Sequence, residues 1–349
     1  MAKQRLFNLP ETKGNFQLKG VVSGVKSNKF YTVNKTRNGA DMKNVNFGCA
    51  YDDKKNVYLN LNGMPQQSVY FSKKNPTTQK NETKQVDWVN RHKFNEEGYR
   101  LIGVNLGLTK VADENGKMVN DKKTMAPFDA CDYIKENLQD DMSVFVRGNL
   151  EFSSYVDKNG NKKRNVRQVP SQISLCAPVD FEEYSDNNKP IHDFEQTIVF
   201  WGIEKEDSRA VVSAKIVTYN SIEDAVFYVT NPALANSMRK KLKVGNAIKV
   251  HGKIEVRHNI EEVEVEDEWG EKNPMKSVNG SSVTEMIITG ASPETIDTET
   301  YSEEKIAAAI KAVNNAKNAE KQFAPVSNND SEIDWGDEAE DDDDSPWDF

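Results

Sequence analysis

Apolar and polar residues alternate with a two-residue period through much of this chain. Residues 42–51 (MKNVNFGCAY) and 56–62 (NVYLNLN) show it most plainly, as half-buried strands do. Residues 15–26, 68–74 and 101–108 read as further strands, with a basic, polar loop over 27–41. A short helix over 129–138 precedes a long strand, a DKNG hairpin turn and a returning strand that ends near residue 179. The second half repeats this order. Strands are predicted over 194–205, 209–221 and 224–230. A helix follows over 232–243, with Pro232 at its start and Gly245 beyond its end. A strand from residue 246, an acidic excursion and a closing strand over 282–293 complete the unit.

The repeat extends to single residues. Val146, Gly148, Leu150 and Phe152 align with Val250, Gly252, Ile254 and Val256, and Phe16, Gly24 and Val25 with Phe194, Gly202 and Ile203. Strand–strand–strand–helix–strand–strand is the order of the OB-fold, and a glycine in the fourth strand suits a tightly coiled barrel. The fold expected is all-β with short helices: tandem OB-fold barrels, a C-terminal helix and a disordered acidic tail. The boundaries read as 1–185 for the first barrel, with an insertion at 73–100, and 186–298 for the second. The helix and linker follow over 299–324 and the tail over 325–349. The tail helix carries an apolar stripe of Ile306, Ile310 and Val313, and Thr300 with Glu303 fits a capping box.

Charge sharpens this division. The net charge of −9 hides 29 basic against 21 acidic residues in 1–185, 13 against 20 in 186–300, and 4 against 14 in 301–349. A basic half points to a polyanionic partner and an acidic tail to a separate task. Apolar residues make up 37% of the chain, low for a wholly globular one. No apolar run approaches the ~20 residues of a membrane span, and no secretory signal is evident. Cys49, Cys131 and Cys176 are far apart, and the four histidines lack zinc spacing, which points to a reducing, cytoplasmic setting. No nucleophile elbow, P-loop, dinucleotide fingerprint or HExxH occurs, so neither catalytic nor metal residues are assigned, and no cofactor or membrane is expected.

The basic half offers a binding constellation instead. Alternation puts Val144, Val146, Leu150 and Phe152 inward and Phe145, Arg147, Asn149 and Tyr155 outward; Val57, Leu59 and Leu61 inward leave Tyr58 outside. Bases stack on such rings. Lys26, Lys29, Lys35, Arg37 and Lys43 lie in one flanking loop, and Lys158, Lys162, Lys163, Arg164 and Arg167 in the other. These loops border the ligand face of an OB-fold. The insertion adds Lys73, Lys74, Trp88 and Arg91, either a flap with a stacking tryptophan or a loop around a buried one. The second barrel carries Glu261, Glu262, Glu264, Glu266, Asp267 and Glu268 in its loop and reads as auxiliary or as a dimerisation unit. The tail ends in Asp341, Asp342, Asp343, Asp344, Ser345, Pro346, Trp347, Asp348 and Phe349, the form of a peptide ligand for a basic-rimmed pocket.

The acidic run with Pro346 and Phe349, together with VFVRGNLEFSSYVDKNGNKKR, resembles the bacterial and phage single-stranded DNA-binding proteins. Two barrels in one chain, the SPWDF tip and the insertion resemble a phage or mobile-element version. The resemblance implies sequence-nonspecific binding and protection of single-stranded DNA in replication, recombination and repair. It also implies recruitment of replication or recombination proteins through the tip, homo-oligomers, and a bacterial or phage-infected host cell. Two alternatives stay open: an adaptor or DNA mimic acting through the acidic second barrel and tail, and RNA in place of DNA.

Overall fold

The computed structural model describes residues 5–36, 38–182, 185, 188–258, 265–266, 272–273 and 282–323. The first unit opens with β1 (Gly14–Ser23), β2 (Tyr31–Lys35), β3 (Asp41–Asp52) and β4 (Lys55–Gly63). An inserted stretch follows: β5 (Ser68–Lys74), β6 (Asn81–Asp87), β7 (Arg100–Leu101), β8 (Val104–Gly107), β9 (Lys110–Ala112), β10 (Met118–Asn120) and β11 (Lys123–Met125). Then come α1 (Pro127–Asn137), β12 (Ser143–Val156) and β13 (Lys162–Leu175). The second unit comprises β14 (Ile191–Glu206), β15 (Arg209–Val217), β16 (Ile222–Val229), α2 (Pro232–Lys241), β17 (Ala247–His258), β18 (Val265–Glu266), β19 (Lys272–Asn273) and β20 (Ser282–Asp297). The helix α3 (Glu303–Phe323) closes the described chain.

Each unit closes a five-stranded barrel in OB order. In the first, β1 pairs with β3, β3 with β4, β4 in parallel with β13, β13 with β12, and β12 with β1. The second follows the same circuit through β14, β15, β16, β20 and β17, with β16–β20 as its parallel step. The helix falls between the third and fourth strands in both. The glycine repeat has a steric cause. Phe16 faces Gly148 across β1–β12, and Phe194 faces Gly252 across β14–β17. A Cβ at Gly148 would lie 2.0 Å from the Val169 carbonyl oxygen, and one at Gly252 1.9 Å from that of Ile287. Beside each glycine the ladder shifts by one residue, with Ser171 of β13 and Thr289 of β20 the extra residues, and such a bulge bends the strand that carries it.

The two barrels share one sheet, because β1 also pairs with β14, from Gly14 opposite Gln196 to Lys19 opposite Ile191. The Tyr51 ring stacks on His192 at 4.2 Å, and its hydroxyl accepts from the Val256 amide at 2.8 Å. Phe152 meets Phe227 with ring centroids 6.3 Å apart. Residues 5–13 and α3 cover one side of the second barrel, where Leu9, Val199, Val217, Ala247, Tyr301, Ile306 and Ala309 form a buried cluster. Burying a side chain such as Ile306 completely is worth about 1.5–3 kcal/mol. Of the predicted stripe, Ile306 belongs to this cluster and Ile310 packs against it, and Val313 is also buried. The helix begins two residues later than the capping box requires: Ser302, not Thr300, accepts from the Lys305 amide, and Thr300 donates to Asp297. No helix among the described residues is long and apolar enough to cross a membrane. Cys49 and Cys131 are buried thiols, pushed up to about 12 by burial.

Two regions depart from expectation. The loop over 27–41 contains β2, which pairs with the start of β3 from Tyr31–Val45 to Lys35–Asp41. The insertion is larger than 73–100, and β5, β6 and β7 form a small sheet with its own core of Val69, Phe71 and Ala126, backed by Val86, Trp88, Phe94, Tyr99 and Leu101. The predicted strand 101–108 is split at Gly103, where a Cβ would stand 2.2 Å from the Met125 carbonyl oxygen.

Candidate nucleic-acid interface

The outward face of β3 and β4 is built by alternation. Val57, Leu59 and Leu61 are buried at 0–2% exposure, so Tyr58 projects outward and is 63% exposed. Its partner across the ladder is Gly48, which leaves the ring face uncovered on that side. Asparagines surround it at the same period: Asn60 faces Asn46, Asn62 faces Asn44, and Asn56 faces Ala50. They hold the neighbouring loop in place. Asn60 Nδ2 donates to Asn46 Oδ1, Asn46 Nδ2 to the Lys29 carbonyl at 3.1 Å, and Asn44 Nδ2 to Thr32 Oγ1 at 3.4 Å. Asn60 Oδ1 and Asn62 Oδ1 are buried without a partner among the described residues. Attention to charges and rings overlooks this ladder, although NVNFG and NVYLNLN display it at a period of two.

Contacts divide the predicted cations into two groups. Lys26 and Lys29, beside the ladder, are exposed and form no ion pair among the described residues, nor do Lys158 and Arg164 at the β12–β13 tip. Others pair with carboxylates of this chain. Lys43, with its side chain only 13% exposed, pairs with Asp132 at 2.5 Å and sits 3.6 Å above the Phe128 ring. Lys35 pairs with Asp41 at 2.6 Å, Lys163 with Asp157 at 3.8 Å and Arg167 with Glu151 at 2.7 Å. Lys162 crosses to Asp224 of the second barrel at 2.9 Å. Burial alone would raise the Asp224 carboxyl, but hydrogen bonds from Lys162 and Lys215 outweigh it and hold the group below the usual carboxylate range. Arg37 and the tail from Asp341 to Phe349 lie outside the described residues, as do Glu261, Glu262, Glu264, Asp267 and Glu268.

Closure of the barrel also separates the rings grouped together from the sequence. Phe145 and Arg147 lie on the sheet that β12 forms with β1 and β14, opposite Lys19 and Gln17, and the Arg147 guanidinium stands 5.1 Å from the Phe145 ring. Tyr155 is 44% exposed on the far hairpin opposite Lys163, ten residues along the strand from Phe145, or about 33 Å. Tyr58 thus lies on β3–β4 beside the loop that carries Lys26 and Lys29, Tyr155 lies on the β12–β13 hairpin, and Phe145 with Arg147 lies where β12 pairs with β1. Trp88 is not placed as a stacking platform: it packs in the inserted sheet's core, with Phe128 at its edge and the Arg91 guanidinium 4.0 Å over its ring. Arg91 makes two hydrogen bonds to Asp129, at 2.8 and 2.9 Å. Lys73 donates to the Glu97 carbonyl at 3.0 Å, while Lys74 is exposed.

Comparison with known proteins adds the following. No curated protein matches this chain in sequence. Among solved structures it is similar to two of the single-stranded DNA-binding protein from Thermus aquaticus, a deletion mutant and the wild type. These are 11% and 10% identical, with TM-scores of 0.39 and 0.38; each covers 81% of this chain, and 94% and 93% of its own. The assignment of two OB barrels rests on this chain's own strand pairings. The family model described as YorF matches residues 73–323, from within the inserted sheet through the first barrel's last two strands and the whole second barrel to the end of α3. That match spans well over half of the sequence, and the chain belongs to the YorF family.

Proposed function

We propose that the protein binds single-stranded DNA without strong sequence preference and without catalysis, through the β3–β4 face of its first barrel. The observation that carries this reading is Tyr58, 63% exposed opposite a glycine and beside a loop whose Lys26 and Lys29 have no ionic partner among the described residues. An isolated ring on a barrel's outer face is suited to stack a base, worth about 1–3 kcal/mol, while unpaired lysines neutralise phosphate. Lys158, Arg164 and Tyr155 extend the track at the β12–β13 tip. Bound protein would coat strands exposed during replication, recombination or repair. The acidic segment from Asp341 to Phe349 would then recruit replication proteins, its aromatic side chains entering a basic-rimmed pocket.

The test is fluorescence anisotropy with a labelled 30-mer, as single-stranded DNA, duplex DNA and RNA, across a salt series. Salt-sensitive binding to single-stranded DNA with weak duplex binding is expected. Absence of binding at low salt overturns the reading, and a clear preference for RNA replaces its ligand. Deleting residues 341–349 should leave or tighten DNA binding and abolish capture of polymerase, primase, helicase or recombination proteins; retained capture overturns the recruiting role.

A further inference from the structure

The inserted sheet has a second face that the small core does not use. Val69 and Phe71 of β5 point into that core, so alternation turns Tyr70, Ser72 and Lys74 the other way. Across the ladder on β6 stand Gln85, Thr83 and Asn81, all exposed. Arg100 of β7 faces Ser72, and the Ile102 amide donates to the Tyr70 carbonyl at 2.8 Å. Tyr70 is 49% and Ile102 58% exposed.

Charge on this module is sorted by face. Lys84 pairs with Glu96, Arg91 with Asp129, and Lys73 donates to the Glu97 carbonyl, all on the covered side or at its edge. Glu82 accepts from Asn75 and Tyr99. Lys74 and Arg100, on the open side, form no ion pair among the described residues. Alternation puts Asp87 on that side too, opposite Ser68 and at the end away from Lys74. An exposed ring with two uncommitted cations, hydroxyls and amides complements a polyanion that carries flat bases. The face is also joined to the candidate interface. Gly63, which ends β4, is five residues from Ser68, a reach of at most about 18 Å.

We propose that this open face is a second contact for the same single strand, with a base stacked on Tyr70 and phosphates neutralised by Lys74 and Arg100. The proposal rests on the reading of the first barrel as a single-strand binder. A strand leaving the β3–β4 face past Asn62 and Met64 would continue across Tyr70, so the insertion lengthens the site.

The test compares the full chain with Tyr70→Ala, Tyr70→Phe and the double variant Lys74→Ala/Arg100→Ala, on labelled single-stranded DNA of about 8 and about 30 nucleotides. One OB-fold covers the shorter length. Tyr70→Ala should weaken the 30-mer about 5- to 140-fold and leave the 8-mer unchanged, with Tyr70→Phe close to wild type. The double variant should lower the salt slope of the 30-mer by about 1.4. An unchanged 30-mer affinity for Tyr70→Ala overturns the proposal, as does an equal loss on both lengths. Failure of the unaltered protein to bind the 8-mer, by contrast, strikes the first-barrel reading. Each variant's melting temperature should match wild type, since the altered side chains lie outside the core.

Discussion

Replacing Tyr58 by alanine separates binding from folding more cleanly than any other change at the proposed interface. The ring is 63% exposed and faces Gly48, so its loss opens no cavity; an exposed substitution of this kind shifts stability by about 0.5 kcal/mol or less. Its immediate neighbours supply the contrast. Val57 and Leu59 are buried at 0% and 1%, and truncating Leu59 to alanine should cost about 2–5 kcal/mol. If a base stacks on Tyr58, the alanine variant loses about 1–3 kcal/mol of binding, a 5- to 140-fold weaker Kd. The ring carries no charge, so log Kd should move by the same amount at every salt concentration, with its slope unchanged. Lys29→Ala should do the converse, losing about 0.7 from the slope with a modest effect at high salt. The assay is anisotropy over a salt series, paired with thermal melting. Unchanged affinity in a variant that melts like wild type refutes the stacking face, and a changed slope refutes the division of labour between ring and cations.

Gly148→Ala drives a Cβ to 2.0 Å from the Val169 carbonyl oxygen and 2.6 Å from the Phe16 ring, and should cost about 3 kcal/mol or more, read as lost melting temperature. Gly202→Ala meets nothing within 4 Å and should melt near wild type. Burial alone would raise the Asp129 carboxyl, but the Arg91 hydrogen bonds hold it below its ordinary range. The stability it adds is present above the unfolded value near pH 4 and lost as pH falls through the lower folded value. Asp129→Asn should therefore cost about 1–3 kcal/mol at pH 7, and the gap should close in acid, as chemical denaturation at several pH values would show. Burial pushes His192 down, between the Tyr51 ring and the Ile254 carbonyl. Below about pH 6.5 the unfolded chain takes a proton that the native one resists, so stability falls with pH; His192→Gln should flatten that decline between pH 7.5 and 5.5, and an unaltered decline would clear His192 of the effect.

What the sequence made legible follows from how local each cause is. Alternation in 42–51 and 56–62 is a property of single strands, and it located β3, β4 and the outward Tyr58. The glycine repeat was readable because a steric demand, closure against Phe16 and Phe194, falls at the same place in both barrels. β2 and β6 were not readable. YTVNK and NETKQVD have little alternation of their own and become strands by pairing with β3 and β5. The cations were legible as residues but not as a site. Lys43, Arg91 and Lys162 find their carboxylates at Asp132, Asp129 and Asp224, 89, 38 and 62 positions away. Phe145 and Tyr155 share a parity along β12, and only the path of the closed barrel shows that shared parity does not bring them to one strand of ligand.

That sorting of charge makes a quantitative claim about salt. The first 185 residues hold 29 basic side chains, and a surface that used them indiscriminately would give a very steep dependence. The structure commits Lys35, Lys43, Arg91, Lys162, Lys163 and Arg167 to internal ion pairs. Beside Tyr58 and at the β12–β13 tip, Lys26, Lys29, Lys158 and Arg164 remain. Four phosphate contacts on a single strand predict a slope of about −2.8 for a short oligonucleotide, and Lys74 with Arg100 would steepen it to about −4.2 on a longer one. A short strand with a slope near −5 would mean that the ion pairs open on binding or that cations outside these two loops reach phosphate. Lys162 would be the first to suspect, because releasing it from Asp224 also frees the hairpin tip from the second barrel. A slope near −1 would mean that the loops do not reach the phosphates, leaving Tyr58 without the electrostatic partners this reading gives it.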